Sequence, residues 1–238
     1  MKYKPCWDLL HRFSENHARM RIPDQYKKLY DEMRAISDRE YFPAIKEDLG
    51  RFLQFLSLLK QPKKIFEFGS GYGQSAFWFL LSINNIENNI EAIYLTETKE
   101  RLWKYYDSLP WPQEWLLKIN YYRGDAFKAI EELNVEEIDL LFMDGQKSSY
   151  LDFFLRIENR MSTDFPIVVV DNIFWKGNIL NDLSNQQSNQ QLNQQTDLIK
   201  KMSYPSVNGI EKFYNYINNS NWHSIFFPYY DGVLLLYK

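Results

Sequence analysis

The chain has 238 residues, 45% hydrophobic and 25% charged, a folded-protein composition with length enough to bury a sizeable core. One cysteine, Cys6, excludes an internal disulfide and any multi-cysteine zinc or iron–sulfur site, and His11, His17 and His223 lack the H-E-x-x-H spacing of a zinc hydrolase. The net charge of −3 is no footprint for general nucleic-acid binding, although residues 1–64 hold 14 Lys/Arg against 9 Asp/Glu and the remainder 14 against 22.

The N-terminus carries no apolar signal-peptide core, and no apolar run approaches the roughly 18 residues of a membrane span. The expected location is therefore the cytoplasm. Aromatic residues make up 17% of the chain. Most are expected in the core, with some left to line a pocket for a planar ligand.

Residues 6–37 read as helical, with Leu9, Leu10, Phe13 and Ala18 near helical spacing and Pro23 dividing the stretch. After Pro43, IKEDLGRFLQFLSLLK sets Ile45, Leu49, Phe52, Leu53, Leu56 and Leu59 on one broad apolar face, which predicts a helix. From Lys63 onward short apolar runs take over: KKIFEF (63–68), IEAIYL (90–95), KINYY (118–122), IDLLFM (138–143), FPIVVV (165–170), WHSIFF (222–227) and GVLLLY (232–237). Between most of them lie amphipathic segments, Gln74–Ser82, Lys99–Ser108, Ala126–Leu133, Ser149–Asn159 and Ile210–Asn219.

That alternation predicts an α/β fold, a seven-stranded, mainly parallel sheet covered by helices on both faces. Only the short turn Pro228–Gly232 separates the last two runs, so they should close the sheet as an antiparallel hairpin. The expected organisation is a helical extension over 1–41 and one domain over 42–238, interrupted by an Asn/Gln-rich insertion over 181–207. Within that insertion, residues 184–195 repeat x-N-Q-Q three times. A solvated surface insertion is the plain expectation; a lid over the preceding Asp-Asn loop is the functional alternative.

IFEFGSGYGQSA joins the first strand to a helix, with Gly69, Gly71 and Gly73 allowing a sharp turn and close approach of a ligand. The spacing is G-x-G-x-G, not the G-x-G-x-x-G of dinucleotide enzymes. Glu67, just before the glycines, suits a ligand amine and would repel a pyrophosphate. The second strand ends at Glu97, where a carboxylate could accept both hydroxyls of a ribose, and RGDAF puts Asp125 and Ala126 at the end of the third. The fourth strand runs into Asp144, with Lys147 three residues on, and the fifth into Asp171 and Asn172. Two carboxylates and an amide oxygen at adjacent strand ends are hard donors that suit Mg²⁺ or another hard divalent ion.

From about Phe42 to Lys238 the chain resembles the cation-dependent class I O-methyltransferases, the family of catechol and caffeoyl-CoA O-methyltransferases and their small bacterial relatives. The resemblance rests on EFGSGYGQSA, YLTE, RGDA, DLLFMDGQKSSY, VVVDNIFWKG and the closing hairpin. It implies a Rossmann-like methyltransferase fold and S-adenosylmethionine as cofactor, with contacts from Glu67, Gly69, Gly71, Gly73, Ser75, Glu97, Asp125, Ala126 and Asp144. It further implies Asp144, Asp171 and Asn172 as metal ligands and Lys147 as general base. Gly145 and Gln146 depart from the family beside the adenine, Gly145 by removing a side chain there.

Near a cation and partly desolvated, Lys147 is expected to have a pKa lowered toward neutrality. The first expectation for the acceptor is a small hydroxylated aromatic such as a catechol. Relatives that methylate 5-hydroxyuridine in tRNA make tRNA the alternative, and a homodimer is expected by resemblance. From other classes, an NAD-dependent oxidoreductase is disfavoured by the glycine spacing, and a non-catalytic binding module would not require the metal and base positions.

Overall fold

The computed structural model describes residues 22–43, 45–84, 90–174 and 194–238, with the backbone alone for 84 and 194–204. The helix expected before Pro23, the N-terminal cysteine and two of the histidines lie outside the described residues, as does the x-N-Q-Q repeat apart from its last two positions. In chain order the elements are α1 (Asp24–Glu40), α2 (Glu47–Lys60), β1 (Lys64–Phe68), α3 (Gln74–Leu81), β2 (Ala92–Glu97), α4 (Glu100–Ser108) and α5 (Gln113–Leu116). There follow β3 (Ile119–Arg123), α6 (Ala126–Glu132), β4 (Leu140–Met143), α7 (Tyr150–Ile157), β5 (Ile167–Asp171), α8 (Gln194–Asn218), β6 (His223–Phe227) and β7 (Val233–Tyr237). All seven expected strands are present, in the order β3-β2-β1-β4-β5-β7-β6. Among the described residues no helix is long and apolar enough to cross a membrane.

The chain divides into two compact units, one of residues 1–64 and 70–124, the other of 65–69 and 125–238. In the first, α1 buries Tyr26, Leu29, Met33, Ile36 and Ser37, one face at helical spacing. The sequence gives no sign of α5, a single turn after Pro112 whose Trp115 stacks on Tyr26 at 4.4 Å between ring centroids. β2 and β3 pair in parallel from Ile93 opposite Ile119 to Glu97 opposite Arg123.

The buried face of α2 differs from the expected one. Leu49, Leu53 and Leu56 are inside, but so are Gly50, Gln54 and Ser57, while Leu59 is 67% exposed. Two local contacts turn the helix this way. A Cβ on Gly50 would lie 2.2 Å from the Trp78 indole nitrogen, so glycine admits the indole, and Ser57 Oγ meets Ser82 Oγ at 3.0 Å.

In the second unit β1, β4 and β5 run parallel, and β7 pairs antiparallel with both β5 and β6. β4 and the first four residues of β5 are apolar because both faces are covered; Leu140–Met143 and Ile167–Val170 are all buried. Phe68 stacks on Phe153 of α7 at 4.3 Å and 13°. β6 is the edge, and its apolar residues Ile225 and Phe226 stay largely exposed.

At the opposite end of the sheet from the strand ends that carry Asp144 and Asp171, Glu158 gathers three donors. Its Oε2 accepts from Tyr216 Oη at 2.5 Å, and its Oε1 from Trp222 Nε1 at 2.7 Å and Lys238 Nζ at 3.0 Å. Burial alone would raise its pKa, but these three donors outweigh it and hold the carboxyl below its ordinary value. A depressed pKa contributes stability above the unfolded value that is lost as pH falls through the folded one. Glu158→Gln should therefore cost about 1–2 kcal/mol at neutral pH. Urea titrations should show the deficit shrinking below about pH 4, where the unperturbed carboxyl protonates; a deficit independent of pH would mean that shape, not charge, carries the contribution.

Candidate active site

The glycine turn after β1 is shaped by protein contacts. Gly69 has φ +89°, and a Cβ there would lie 2.5 Å from the Gly145 Cα, so only glycine satisfies both the backbone and the neighbour. Where Gly71 and Gly73 lack a Cβ, the rings of Phe42 and Trp111 come close. Glu97 holds this turn from β2. Its Oε2 accepts from Gly71 N at 3.1 Å and its Oε1 from Lys99 N at 2.8 Å, while Tyr121 donates its hydroxyl to Gly71 O at 2.6 Å. Each carboxylate oxygen has a second lone pair, so the grip on the turn leaves Glu97 able to accept further hydroxyls. Ser75 is buried in the first turn of α3.

In the other unit Glu67 is buried on β1 opposite Phe142. Asp125 caps α6, its Oδ1 accepting from Phe127 N at 2.9 Å and Lys128 N at 3.4 Å, and Ala126 behind it is buried. At Gly145 the absent side chain admits the Phe68 ring, which would lie 2.8 Å from any Cβ at that position.

The register of β4 and β5 pairs Met143 with Val170, so Asp144 and Asp171 emerge side by side. Lys147, 6% exposed, donates to Asp144 Oδ1 at 2.8 Å. Burial and the Asp144 charge raise the Asp171 pKa. Asn172 sits at φ +59°, a left-handed position that asparagine tolerates. Its backbone N–H donates to Asp171 Oδ1 at 2.8 Å, and its side-chain amide reaches Asp144 Oδ1 at 3.5 Å, the long limit of a hydrogen bond.

The loop that follows is tied to the β6–β7 turn by Ile173 N–H to Gly232 O at 3.0 Å and Phe174 N–H to Asp231 O at 2.8 Å. Asp231 of that turn adds to the charge that Asp171 feels.

Burial works to lower the Lys147 pKa, but Tyr150 and Asp144 outweigh burial and hold it above the ordinary ammonium range. As it stands the ammonium is a donor and not a base. Among the described residues no three His, Cys, Asp or Glu side chains gather as a metal site. The set is two carboxylates and an amide whose carbonyl and NH₂ ends are interchangeable by a flip. Two neighbouring carboxylates with one ammonium leave a net negative charge, and the donors are hard oxygens, so the residues fit a hard divalent ion.

Two positions outside the expected site residues also shape this cluster. Tyr150 is fully buried beneath Lys147, and Gly209 of α8 lies against the lysine's own turn. A Cβ on Gly209 would fall 2.5 Å from both Lys147 O and Ser148 Cα. Gly209→Ala should therefore overpack the contact and cost about 1–3 kcal/mol in urea unfolding; full wild-type stability would show that α8 gives way freely.

A family model of O-methyltransferases matches residues 23–207. A catechol O-methyltransferase of Niastella koreensis is 26% identical over 147 residues, covering 60% of this chain and 64% of that relative. The match thus spans just under two thirds of the relative's length. The crystal structure of an O-methyltransferase from Bacillus cereus in complex with SAH superposes with a TM-score of 0.72 at 18% identity, covering 97% of each chain. A methyltransferase from Podospora anserina, also bound to SAH, gives 0.74 at 18% identity over 99% of this chain and 98% of its own. These structures share the Rossmann-like methyltransferase fold that the resemblance implied. With the matched segment running through the glycine turn, the D-x-x-K turn and the Asp-Asn loop, the chain belongs to the O-methyltransferase family.

Proposed function

We propose that the protein transfers a methyl group from S-adenosylmethionine to a hydroxyl of a small catechol-like or other hydroxylated aromatic molecule, with Mg²⁺ or another hard divalent ion. The observation that carries this reading is the clustering of Asp144, Asp171, Asn172 and Lys147 at the ends of two adjacent strands. The catechol O-methyltransferase among its relatives and the SAH in related crystals support it.

For the cofactor we assign Glu67, Gly69, Gly71, Gly73, Ser75, Glu97, Asp125, Ala126 and Asp144, with Glu67 facing the amine and Glu97 the ribose. Asp144, Asp171 and Asn172 would hold the divalent ion. Bound there, the ion would supply Lewis acidity that lowers the acceptor's pKa and fixes its direction.

Lys147 takes the proton. With the Asp144 charge engaged by a cation, one of the attractions that hold the ammonium protonated is gone, and burial pushes the amine toward its neutral form. The acceptor oxygen, its proton passed to Lys147, forms the new O–C bond as the S–C bond breaks. The electron pair stays on sulfur, leaving S-adenosylhomocysteine. Since an anion and a sulfonium neutralise each other, a buried lysine that keeps water out favours the transfer.

Calorimetric titration with S-adenosylhomocysteine, followed by Mg²⁺ and a catechol, tests the reading. Cofactor binding with metal-dependent catechol binding is expected. Cofactor binding without a catechol response would pass the acceptor to tRNA, to be tested by salt-sensitive retention, and no cofactor binding would overturn the proposal. Lys147→Ala should lower turnover about 10²–10⁴-fold while S-adenosylhomocysteine binding persists. Unchanged turnover would remove the lysine from the mechanism.

A further inference from the structure

We infer that Tyr150 is a positioning residue that sets the separation of the Asp144 and Asp171 carboxylates and fixes the Lys147 side chain between them. This deepens the proposed function and rests on it.

The parallel ladder between β4 and β5 ends at Met143 and Val170, one residue before each aspartate. Beyond that point no backbone pair fixes the gap between the two strands. The Tyr150 hydroxyl fills that role. It lies 3.1 Å from Met143 O and 3.1 Å from Asp171 O, so its single proton is shared between a carbonyl of each strand. Its oxygen accepts from the Lys147 ammonium, which also rests 5.3 Å from the centre of the Tyr150 ring. Three groups of the cluster therefore take their position from one hydroxyl.

The ring itself is enclosed. Tyr150 is fully buried, edge-on to Phe68 and to Phe213 of α8 at centroid distances of 6.3 and 6.2 Å. Its position opens α7, so the helix that packs under β1 carries the staple. Metal affinity depends on such outer contacts, and losing one typically weakens it about 10–100-fold.

Tyr150→Phe keeps the ring and removes the hydroxyl. Mn²⁺ binding, read by the loss of the free-ion electron paramagnetic resonance signal in the presence of S-adenosylhomocysteine, should weaken about 10-fold or more. S-adenosylhomocysteine affinity should stay within about twofold. In turnover, the Mg²⁺ concentration for half-saturation should rise more than the maximal rate falls. Tyr216→Phe, which removes a hydroxyl at Glu158 instead, is the control for general loosening and should leave Mn²⁺ binding unchanged.

Wild-type Mn²⁺ affinity in Tyr150→Phe, or an equal loss in Tyr216→Phe, would overturn the inference and leave the proposed function standing. A wild-type protein that binds S-adenosylhomocysteine but no Mn²⁺ would overturn both. Should Tyr150→Phe not fold, 3-fluorotyrosine at position 150 of the otherwise unaltered protein replaces it. Its fluorine resonance should move as Mg²⁺ saturates, and a resonance that stays in place while Mg²⁺ binds would overturn the inference.

Discussion

Two carboxylates at the ends of neighbouring parallel strands repel each other, and the residues around Asp144 and Asp171 are arranged against that repulsion. The register that pairs Met143 with Val170 leaves the next residue of each strand no choice but to emerge beside the other, about 4.8 Å away in an ordinary sheet. One ammonium, Lys147, offsets one of the two charges at 2.8 Å. The remainder shows in Asp171, whose proton is held more tightly because of burial and the neighbouring charge. A divalent cation would answer this imbalance where a second lysine would not, since the donors are oxygen atoms on two strands that converge on one point.

Holding such charges together requires the backbone on both sides to be fixed from outside the cluster. On the β5 side this falls to the antiparallel hairpin. β7 lies between β5 and the edge strand β6, and the turn before it accepts from the N–H groups of Ile173 and Phe174. Gly232, at φ +81°, lets that turn lie flat against Phe174, where a Cβ would come within 2.5 Å of the ring. The left-handed Asn172 is thus pinned on one side by Asp171 and on the other by the hairpin. The terminal hairpin closes the sheet, and it also holds the Asp-Asn loop in place.

The central strands β4 and β5 were legible because they are covered on both faces and so written as unbroken runs of Leu, Phe, Met, Ile and Val up to the aspartate. The acids at their ends were legible because an apolar run stops abruptly at a charge. What escaped is what depends on small or polar residues in contact with something distant. Leu59 of α2 looked like core, but Gly50 and Ser57 decide which face turns inward, and hydrophobic periodicity gives neither any weight. The first half of α8 carries Gln, Lys and Ser, and Pro205 interrupts it, so only its apolar end from Ile210 reads as a helix. Tyr150 was in view, three residues beyond Lys147, yet its role depends on carbonyls that only the parallel register brings within reach. The lysine's proton affinity escaped for a related reason: burial and attraction act in opposite directions, and a sequence shows the groups without the distances that decide between them.

The glycines show why a motif and its physical cause can part company. Gly69, Gly71 and Gly73 resemble a turn made for a ligand, and the usual argument is that absent side chains let the ligand approach. Here the space beside each is taken by protein: the Gly145 backbone, the Phe42 ring and the Trp111 ring. Gly145, in turn, is required by the ring of Phe68. The first unit adds its own restraint, since Glu97 grips the Gly71 amide and Tyr121 its carbonyl. The turn is therefore held by contacts within the chain. A turn held in this way would cost a ligand little in loop ordering, which leaves binding energy for orienting that ligand.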